Sequence, residues 1–485
     1  MDILHRLDEL SQQAKALEPD ATQRSSWLQA AEQYAESFLE SMTDPNSLTF
    51  WDVPTRGDKP FQWEVSDTPT PIEITLAHLK NEVDTVGLNP ASSGHLGYIP
   101  GGGIYTGALG DFLAAVANRY AGLYFGSPGA VRLENALIRW MCSIMGFPTS
   151  SAGNLTSGGS IANLVAITTA RDAKGITSKV VERAVIYLTL HIHHCVQKAI
   201  RIAGLAEAQI RYVPMDGNFR MDAVAAEKII LEDIQNGYKP FLLVASAGTT
   251  DMGAIDPLTT LGDICKRYNL WYHIDAAYGG FFILTEEGNA SLQGIKYADS
   301  LVIDPHKGLF LSYGLGAVLI KDAKAMIQSH YYRANYLQDV DLVHGELSPA
   351  DVSPELTKHF RGLRMWLSLQ LFGLRPFKAA LSEKIWLCRY FYSHIQQHGF
   401  EVGNFPDLSV MVFRYVPLTG DANIFNEQLI AFVWQDGRVF LSSTSINGVY
   451  WIRLAVLSFR THLSTINTCI EVLQNGVKHL EKTND

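Results

Sequence analysis

The sequence predicts an α/β fold on a mostly parallel central sheet, with an N-terminal helical arm and a small α+β C-terminal domain. Three observations carry this. Between about 130 and 320, short apolar runs alternate with amphipathic helices. Ahead of them lie two helix-like segments and an irregular stretch rich in Pro, Thr and Asp. Behind them, helix and strand patterns alternate on a smaller scale.

Residues 1–85 form the arm, with helix-like segments at 2–17 and 24–42. Such arms rarely fold alone and lie on another subunit or domain. Residues 86–375 form the large domain. Its strand-like runs are Ala184–Leu190, Phe241–Ser246, Leu270–Asp275 and Leu301–Ile303. Runs that are apolar throughout and set between helices belong to a parallel sheet covered on both faces. Ile161–Arg171 reads as a helix with Ile161, Leu164, Val165 and Thr168 on one face. Another begins near Asp222 and ends at Gly237. A third follows Asp256-Pro257, with Pro257 in its first turn and Leu258, Leu261, Cys265 and Tyr268 as one apolar stripe. Residues 376–485 form the small domain. A helix over 377–398 precedes a strand over 408–413, a helix over 423–435, strands over 439–443 and 450–456, and a final helix over 462–482.

Bulk properties bound the function. Hydrophobic residues are 47% and charged residues 18% of the 485, the balance of a well-packed globular protein of two or three domains. The net charge of −10 comes without a Lys/Arg run, which argues against nucleic acid as a partner. The five cysteines are scattered and never paired as C-x-x-C, so neither a disulfide framework nor a zinc site is indicated. The first ten residues are charged throughout and lack the apolar core of a signal peptide. No apolar run reaches the ~18 residues of a membrane span. The expected location is the cytoplasm.

Ligands of open α/β sheets bind beyond the carboxyl ends of the strands. The residues just past each apolar run are therefore informative. After Leu270–Ile274 comes Asp275-Ala-Ala-Tyr-Gly-Gly280; after Leu301–Ile303 comes Asp304-Pro-His-Lys307-Gly308. Singly, Asp275 reads as a cap and Lys307 as a solvated lysine. Jointly, with His306 and small neighbours, they are what pyridoxal 5′-phosphate requires: an amine for a Schiff base, and a carboxylate that keeps the pyridine nitrogen protonated. Leu155-Thr-Ser-Gly-Gly-Ser160 opens a helix, where free N–H groups and hydroxyls make an anion site for the phosphate. His191-Ile-His-His194-Cys195 follows another strand; no partner stands at a usual metal-ligand spacing, and an imidazole stacked on the pyridine ring is the better reading.

Thr156–Leu164, His193–Ala199, Ala247-Gly-Thr-Thr250, His273–Gly279 and Asp304-Pro-His-Lys307 occur in that order, and Phe360-Arg-Gly-Leu-Arg-Met-Trp366 comes after them. The set resembles the group II pyridoxal-dependent amino acid decarboxylases, over about 90–375. The resemblance implies the aminotransferase-like fold type I and a homodimer with active sites at the interface. It implies Lys307 as the Schiff-base lysine, Asp275 as the pyridine-nitrogen partner and His193 stacked on the ring. Gly159 and Ser160 would bind phosphate with His306 nearby, and Thr250 and Ala277 would line the cofactor. Three positions depart from the family. Asp304 stands where Asn is common, and should repel the phosphate unless it points away or is paired. Gly308 replaces a large aromatic. The stretch His344–Pro354, matching a mobile catalytic loop, lacks the tyrosine that aromatic decarboxylases carry there.

The expected reaction is decarboxylation of an L-amino acid to amine and carbon dioxide. Competing readings are a decarboxylating aldehyde synthase, an aminotransferase, a carbon–carbon lyase, a decarboxylase of an acidic or basic amino acid, or a binding protein on an inactive fold. Arg453 is a candidate grip for a substrate carboxylate, or a structural ion pair. Tyr98 and Pro100, in a segment resembling the family's pocket, are candidate substrate residues. With Tyr124 and Phe125 and no basic residue evident beside them, they favour an aromatic side chain over a buried carboxylate. The polar segment 338–354 is expected to be a mobile lid, with His344 as a candidate proton donor near its unperturbed pKa of about 6.5.

Overall fold

Apolar side chains alternate between two faces along the central strands of the large domain, and each face meets a layer of helices. The computed structural model describes residues 3–44, 47–51, 65–331 and 346–484. A short antiparallel pair, β1 (Phe50–Trp51) and β2 (Gly87–Leu88), closes the arm. The central sheet comes next: β3 (Ala152–Thr156), β4 (Ala184–Leu188), β5 (Gln209–Tyr212), β6 (Lys239–Ser246), β7 (Trp271–Asp275), β8 (Ser300–Ile303) and β9 (Gly316–Ile320). Their spatial order is β3-β9-β8-β7-β6-β4-β5. β5, β4, β6, β7 and β8 run parallel, and β9 is antiparallel to both β3 and β8.

On β6, Leu243 and Ala245 join one core while Phe241, Leu242 and Val244 join the other. Tyr272 and Ile274 of β7 face the first core, and Trp271 the second. Burial on both faces explains why these strands read as unbroken apolar runs.

The helix Gly159–Ala173 corrects a sequence expectation. Ile161, Leu164 and Thr168 are only half-buried, whereas Ala162, Asn163, Val165, Ala166, Ile167, Thr169 and Ala170 are buried. The helix is wedged between the sheet and the helices His194–Ile202 and Ala323–His330. Small residues let it approach closely, so the largest apolar side chains do not mark its innermost face.

A third core lies in the C-terminal domain, on the antiparallel order β10 (Phe400–Val402), β11 (Val410–Tyr415), β13 (Val449–Ala455) and β12 (Ser442–Ile446). β12 begins three residues later than the expected 439. Phe440 bonds instead to Gly94 O and Leu96 N–H, and β12 runs on past the expected 443 to a two-residue hairpin turn: Ile446 pairs with Val449, and Asn447 and Gly448 take φ of +52° and +79°. Asn-Gly is the preferred pair for that turn, and it sets the register. Gly94–Gly97 runs along this domain, with Leu96 N–H donating to Phe440 O at 2.9 Å.

One buried ion pair holds the large domain together beyond the sheet. Lys358 Nζ lies 2.8 Å from Glu134 Oε2 and donates to Asn154 Oδ1 at 2.5 Å, while Gly362 N–H donates to Glu134 Oε1 at 2.9 Å. It joins the helix Pro128–Ile144, strand β3 and the chain after residue 346. Burial pulls the Lys358 pKa down, and the Glu134 carboxylate opposes that pull. Glu134→Ala should therefore cost about 3–5 kcal/mol by leaving Lys358 buried without a counter-charge. Chemical denaturation would show it as a lower midpoint, partly restored by adding Lys358→Met. An unchanged midpoint in the single variant would contradict this.

Candidate active site

Strands β6, β7 and β8 end side by side, and the residues just past them surround a cavity of about 510 Å³. Gly159, Ser160, His193, Thr250, Asp275, Ala277 and Lys307 all line it. Asn163, Cys195, Ser246, Gly248, Thr249, Tyr278 and Asp304 complete the lining. His306 does not line it. That ring lies beside Gly158 and faces a separate cavity between Gly102–Gly103 and Leu311–Tyr313. Its Nδ1 is 2.6 Å from Leu315 O, and its Nε2 lies 3.7 Å from Asp304 Oδ2.

Asp275 caps strand β7 and is buried. Ala277 N–H donates to its Oδ1 at 3.1 Å and Asn163 Nδ2 to its Oδ2 at 3.3 Å. The amide of Asn163 also donates to Gly159 O at 3.0 Å, so its Oδ1 is left to accept from His273 Nε2 at 2.8 Å. That makes His273 Nδ1 the acceptor of the Ser300 hydroxyl at 2.8 Å, and Trp271 Nε1–H donates to the same hydroxyl at 2.8 Å. One direction of donation satisfies the whole chain from Trp271 to Asp275. Burial pushes the His273 pKa down to about 4, which keeps that tautomer neutral.

Lys307 lies past β8 in the short helix Pro305–Gly308. Its Nζ lies 3.2 Å from Asp304 Oδ2. Burial works against its positive charge, but the Asp304 and Asp275 carboxylates outweigh it and raise the pKa. In this structure Asp304 is thus paired with Lys307. Gly308 also has a structural reason: a Cβ there would come within 2.6 Å of Phe281 Cβ, whose ring fills the space.

His193 caps the helix His194–Ile202, with Nδ1 accepting the Cys195 N–H at 3.3 Å. Burial lowers its pKa, so the neutral ring presents Nε2–H. The neighbouring histidines go elsewhere: His191 pairs with Asp251 at 3.1 Å, and His194 is exposed. Cys195 is a neutral thiol, its pKa raised to about 12 by burial.

Arg453 does not reach the cavity. It is buried, donating to Asp251 O at 3.0 Å, to Ser442 Oγ at 2.6 Å and to Thr250 O. No donor pair is left for a substrate carboxylate; the guanidinium instead holds the loop that carries Thr250. Tyr98 and Pro100 also lie off this cavity. Pro100 is buried, and Tyr98 has φ +50° with its ring 5.5 Å from Phe440. Tyr124 is buried under the guanidinium of Arg132, which comes from the following helix Pro128–Ile144 and lies 5.3 Å from its ring. His344 lies outside the described residues. The described end of the expected lid, 346–354, is packed down: Ser348, Pro349, Val352 and Ser353 are buried, and Glu346 is held by Arg139 at 2.8 Å. Pro349 and Val352 anchor it as apolar plugs.

The residues fit pyridoxal phosphate. Gly158 caps the helix Gly159–Ala173 without a side-chain acceptor, which leaves the first N–H groups open to an anion. A Cβ on Gly159 would sit 3.0 Å from Asp304 Oδ2, so glycine keeps that opening accessible. An acid and a lysine flank the same space. Sheet order, cavity and donor set fit a fold type I pyridoxal 5′-phosphate enzyme. The chain belongs to the pyridoxal-dependent decarboxylases, whose conserved domain matches residues 78–416. It is similar to an aromatic-L-amino-acid decarboxylase of Bacillus atrophaeus, 36% identical over 372 residues, or 76% of this chain and 77% of that one. A phenylacetaldehyde synthase of Arabidopsis thaliana is 26% identical over 401 residues, 79% and 81% of the two chains. The crystal structure of Oryza sativa TDC with PLP and tryptamine shares the fold, with a TM-score of 0.88 at 22% identity over 96% of this chain and 99% of that one.

Sequence reasoning missed Asn163 and the chain behind it. The available signal was spacing: Asn163 lies one helical turn after Gly159, on the face where the helix opens to the cavity. The buried His273 has a measurable consequence. Unfolded, a histidine titrates near 6.5; folded, this one is held to about 4. Only the unfolded chain binds the extra proton between those values, so stability is full above pH 6.5. As pH falls through that window it should be lost, by about 3 kcal/mol from this group. Denaturant titrations at pH 7 and 4.5 would show a shallower loss for His273→Asn than for the native chain.

Proposed function

We propose that this chain decarboxylates an aromatic L-amino acid to its amine, using pyridoxal phosphate held on Lys307. The observation that carries the reading is the convergence of Lys307, Asp275 and the uncapped start of the Gly159 helix on one cavity. When bound, the cofactor supplies an electron sink for the bond that breaks as carbon dioxide leaves. The chain supplies placement. Asp275, aimed by Asn163 and the Ala277 N–H, holds a proton at the pyridine nitrogen. His193 lies against the ring as a neutral imidazole. N–H groups at Gly159 and Ser160 take the phosphate, while Thr250 and Ala277 bound the ring.

The aromatic substrate is supported by the Bacillus relative's name and by the apolar segments Tyr98 and Tyr124–Phe125. Those segments serve a second copy in this reading, because Tyr98 and Phe125 lie exposed on the single chain. The helix Tyr105–Ala117 turns Tyr105, Leu109, Phe112, Leu113 and Val116 outward at helical spacing. Such a stripe supports a homodimer with shared active sites. The domain division at 85 and 375 belongs to the same proposal. So does a cytoplasmic location, supported by five buried free cysteines. Among the described residues no helix is long and apolar enough to cross a membrane.

One observation favours a second reading. The stretch 344–354 contains no tyrosine, and an aldehyde synthase is among the relatives. In the first reading His344 returns a proton to the substrate carbon; in the second, oxygen takes the electron pair from that carbon and is reduced to peroxide, and water hydrolyses the resulting imine to aldehyde and ammonia.

Borohydride reduction of the yellow holoenzyme should place the cofactor on Lys307, and Lys307→Ala should abolish adduct and turnover. An adduct on another lysine would end the assignment. Asp275→Ala should keep some cofactor but lose turnover by roughly a hundredfold or more. Product assays with tyrosine, tryptophan, phenylalanine and dopa decide the outcome: amine and carbon dioxide support the first reading, aldehyde and peroxide the second. His344→Phe should cut amine yield while carbon dioxide release persists; no turnover of any aromatic amino acid would refute the substrate class.

A further inference from the structure

Two carboxylates line the cavity, and they are held differently. Both oxygens of Asp275 accept hydrogen bonds from neutral donors. The Asp304 side chain is 2% exposed, and its Oδ1 has no hydrogen-bond partner among the described residues. It is wedged between two glycines: a Cβ on Gly316 would sit 2.6 Å from Oδ1, and one on Gly159 3.0 Å from Oδ2. The carboxylate therefore stands directly at the opening of the helix that carries the anion site.

What balances this charge is narrow. His306 Nε2 is 3.7 Å away, too far for a hydrogen bond. Its Nδ1–H is committed to Leu315 O at 2.6 Å, and burial lowers its pKa, so a neutral ring turns a lone pair toward Asp304. His193 is likewise kept toward neutrality, Cys195 is a neutral thiol, and Asp275 adds negative charge to the same cavity. Among the described residues Lys307, with Nζ 3.2 Å from Oδ2, is the cation paired with Asp304.

Capture of the cofactor disturbs this pair. The Lys307 ammonium would give up one proton to solvent, its amine would attack the aldehyde carbon, a C=N bond would replace the C=O bond, and the aldehyde oxygen would leave as water with the two amine hydrogens. The cofactor's phosphate arrives at the same time at the Gly159 opening. We propose that Asp304 limits cofactor affinity: its carboxylate stabilises the cofactor-free protein through Lys307 and opposes the phosphate at the helix start. The result is a cofactor held less tightly than the donor set would otherwise allow. This rests on Lys307 being the attachment site.

The test compares the native chain with Asp304→Asn, near-identical in shape, and with Asp304→Ser as a second variant. Pyridoxal phosphate is titrated into each cofactor-free protein and followed by its imine absorbance. Asp304→Asn should bind roughly tenfold tighter or more, since a like charge at close range is removed. Pyridoxal, which lacks the phosphate, should gain less. Thermal melts should show a wider gap between loaded and cofactor-free protein in the variant, because the free state has lost its ion pair. Equal or weaker binding of pyridoxal phosphate in both variants overturns the proposal, as does an equal gain for pyridoxal. Reduction and peptide mapping on the same samples separate the two levels. An adduct away from Lys307 sinks the attachment site itself; an adduct on Lys307 with unchanged affinity sinks only the role of Asp304.

Discussion

The active site depends on one constraint, the burial of both faces of the parallel sheet. With helices covering each face, a ligand can meet the strands only at an end. The strands β6, β7 and β8 lie side by side in order, so Ser246, Asp275 and Asp304 arrive at one edge although far apart in sequence. The chain needs no other device to gather them. The loop before Gly159 enters through β3 at one side of the sheet, and the packing of the helix Gly159–Ala173 across β8 and β9 brings its start over the same strand ends.

Behind the visible acid lies a layer that makes it directional. Asp275 alone on a strand end would be free to rotate. Asn163 fixes one oxygen, and Asn163 is fixed by Gly159 O and His273. Because Gly159 opens the helix Gly159–Ala173, a single amide relates the position of the acid to that of the helix opening.

The sequence revealed the fold and most of the cavity because both follow from local signals. Continuous apolar runs marked the covered strands, and the residue after each run marked the edge. Gly159, Ser160, Asp275 and Lys307 stood at those places. What stayed hidden was set by packing across the chain. The inner face of the Gly159–Ala173 helix is built from small residues, so apolar size pointed to its flanks. Arg453 sits on a C-terminal strand, and nothing local shows that its fork is taken by carbonyls about 200 positions earlier. His306 adjoins the key lysine in sequence, yet its ring is bonded to Leu315 O and lines another cavity. The Asn-Gly turn at 447–448 was a readable local signal, and it fixes the strand register there.

The Arg453 fork also has a mechanical meaning. One planar cation grips Thr250 O, Asp251 O and Ser442 Oγ, and approaches Tyr98 O at 3.5 Å. Three parts of the chain are pinned at one rivet. The wall of the cavity at Thr250 and the strand β12 are thereby tied to one buried side chain.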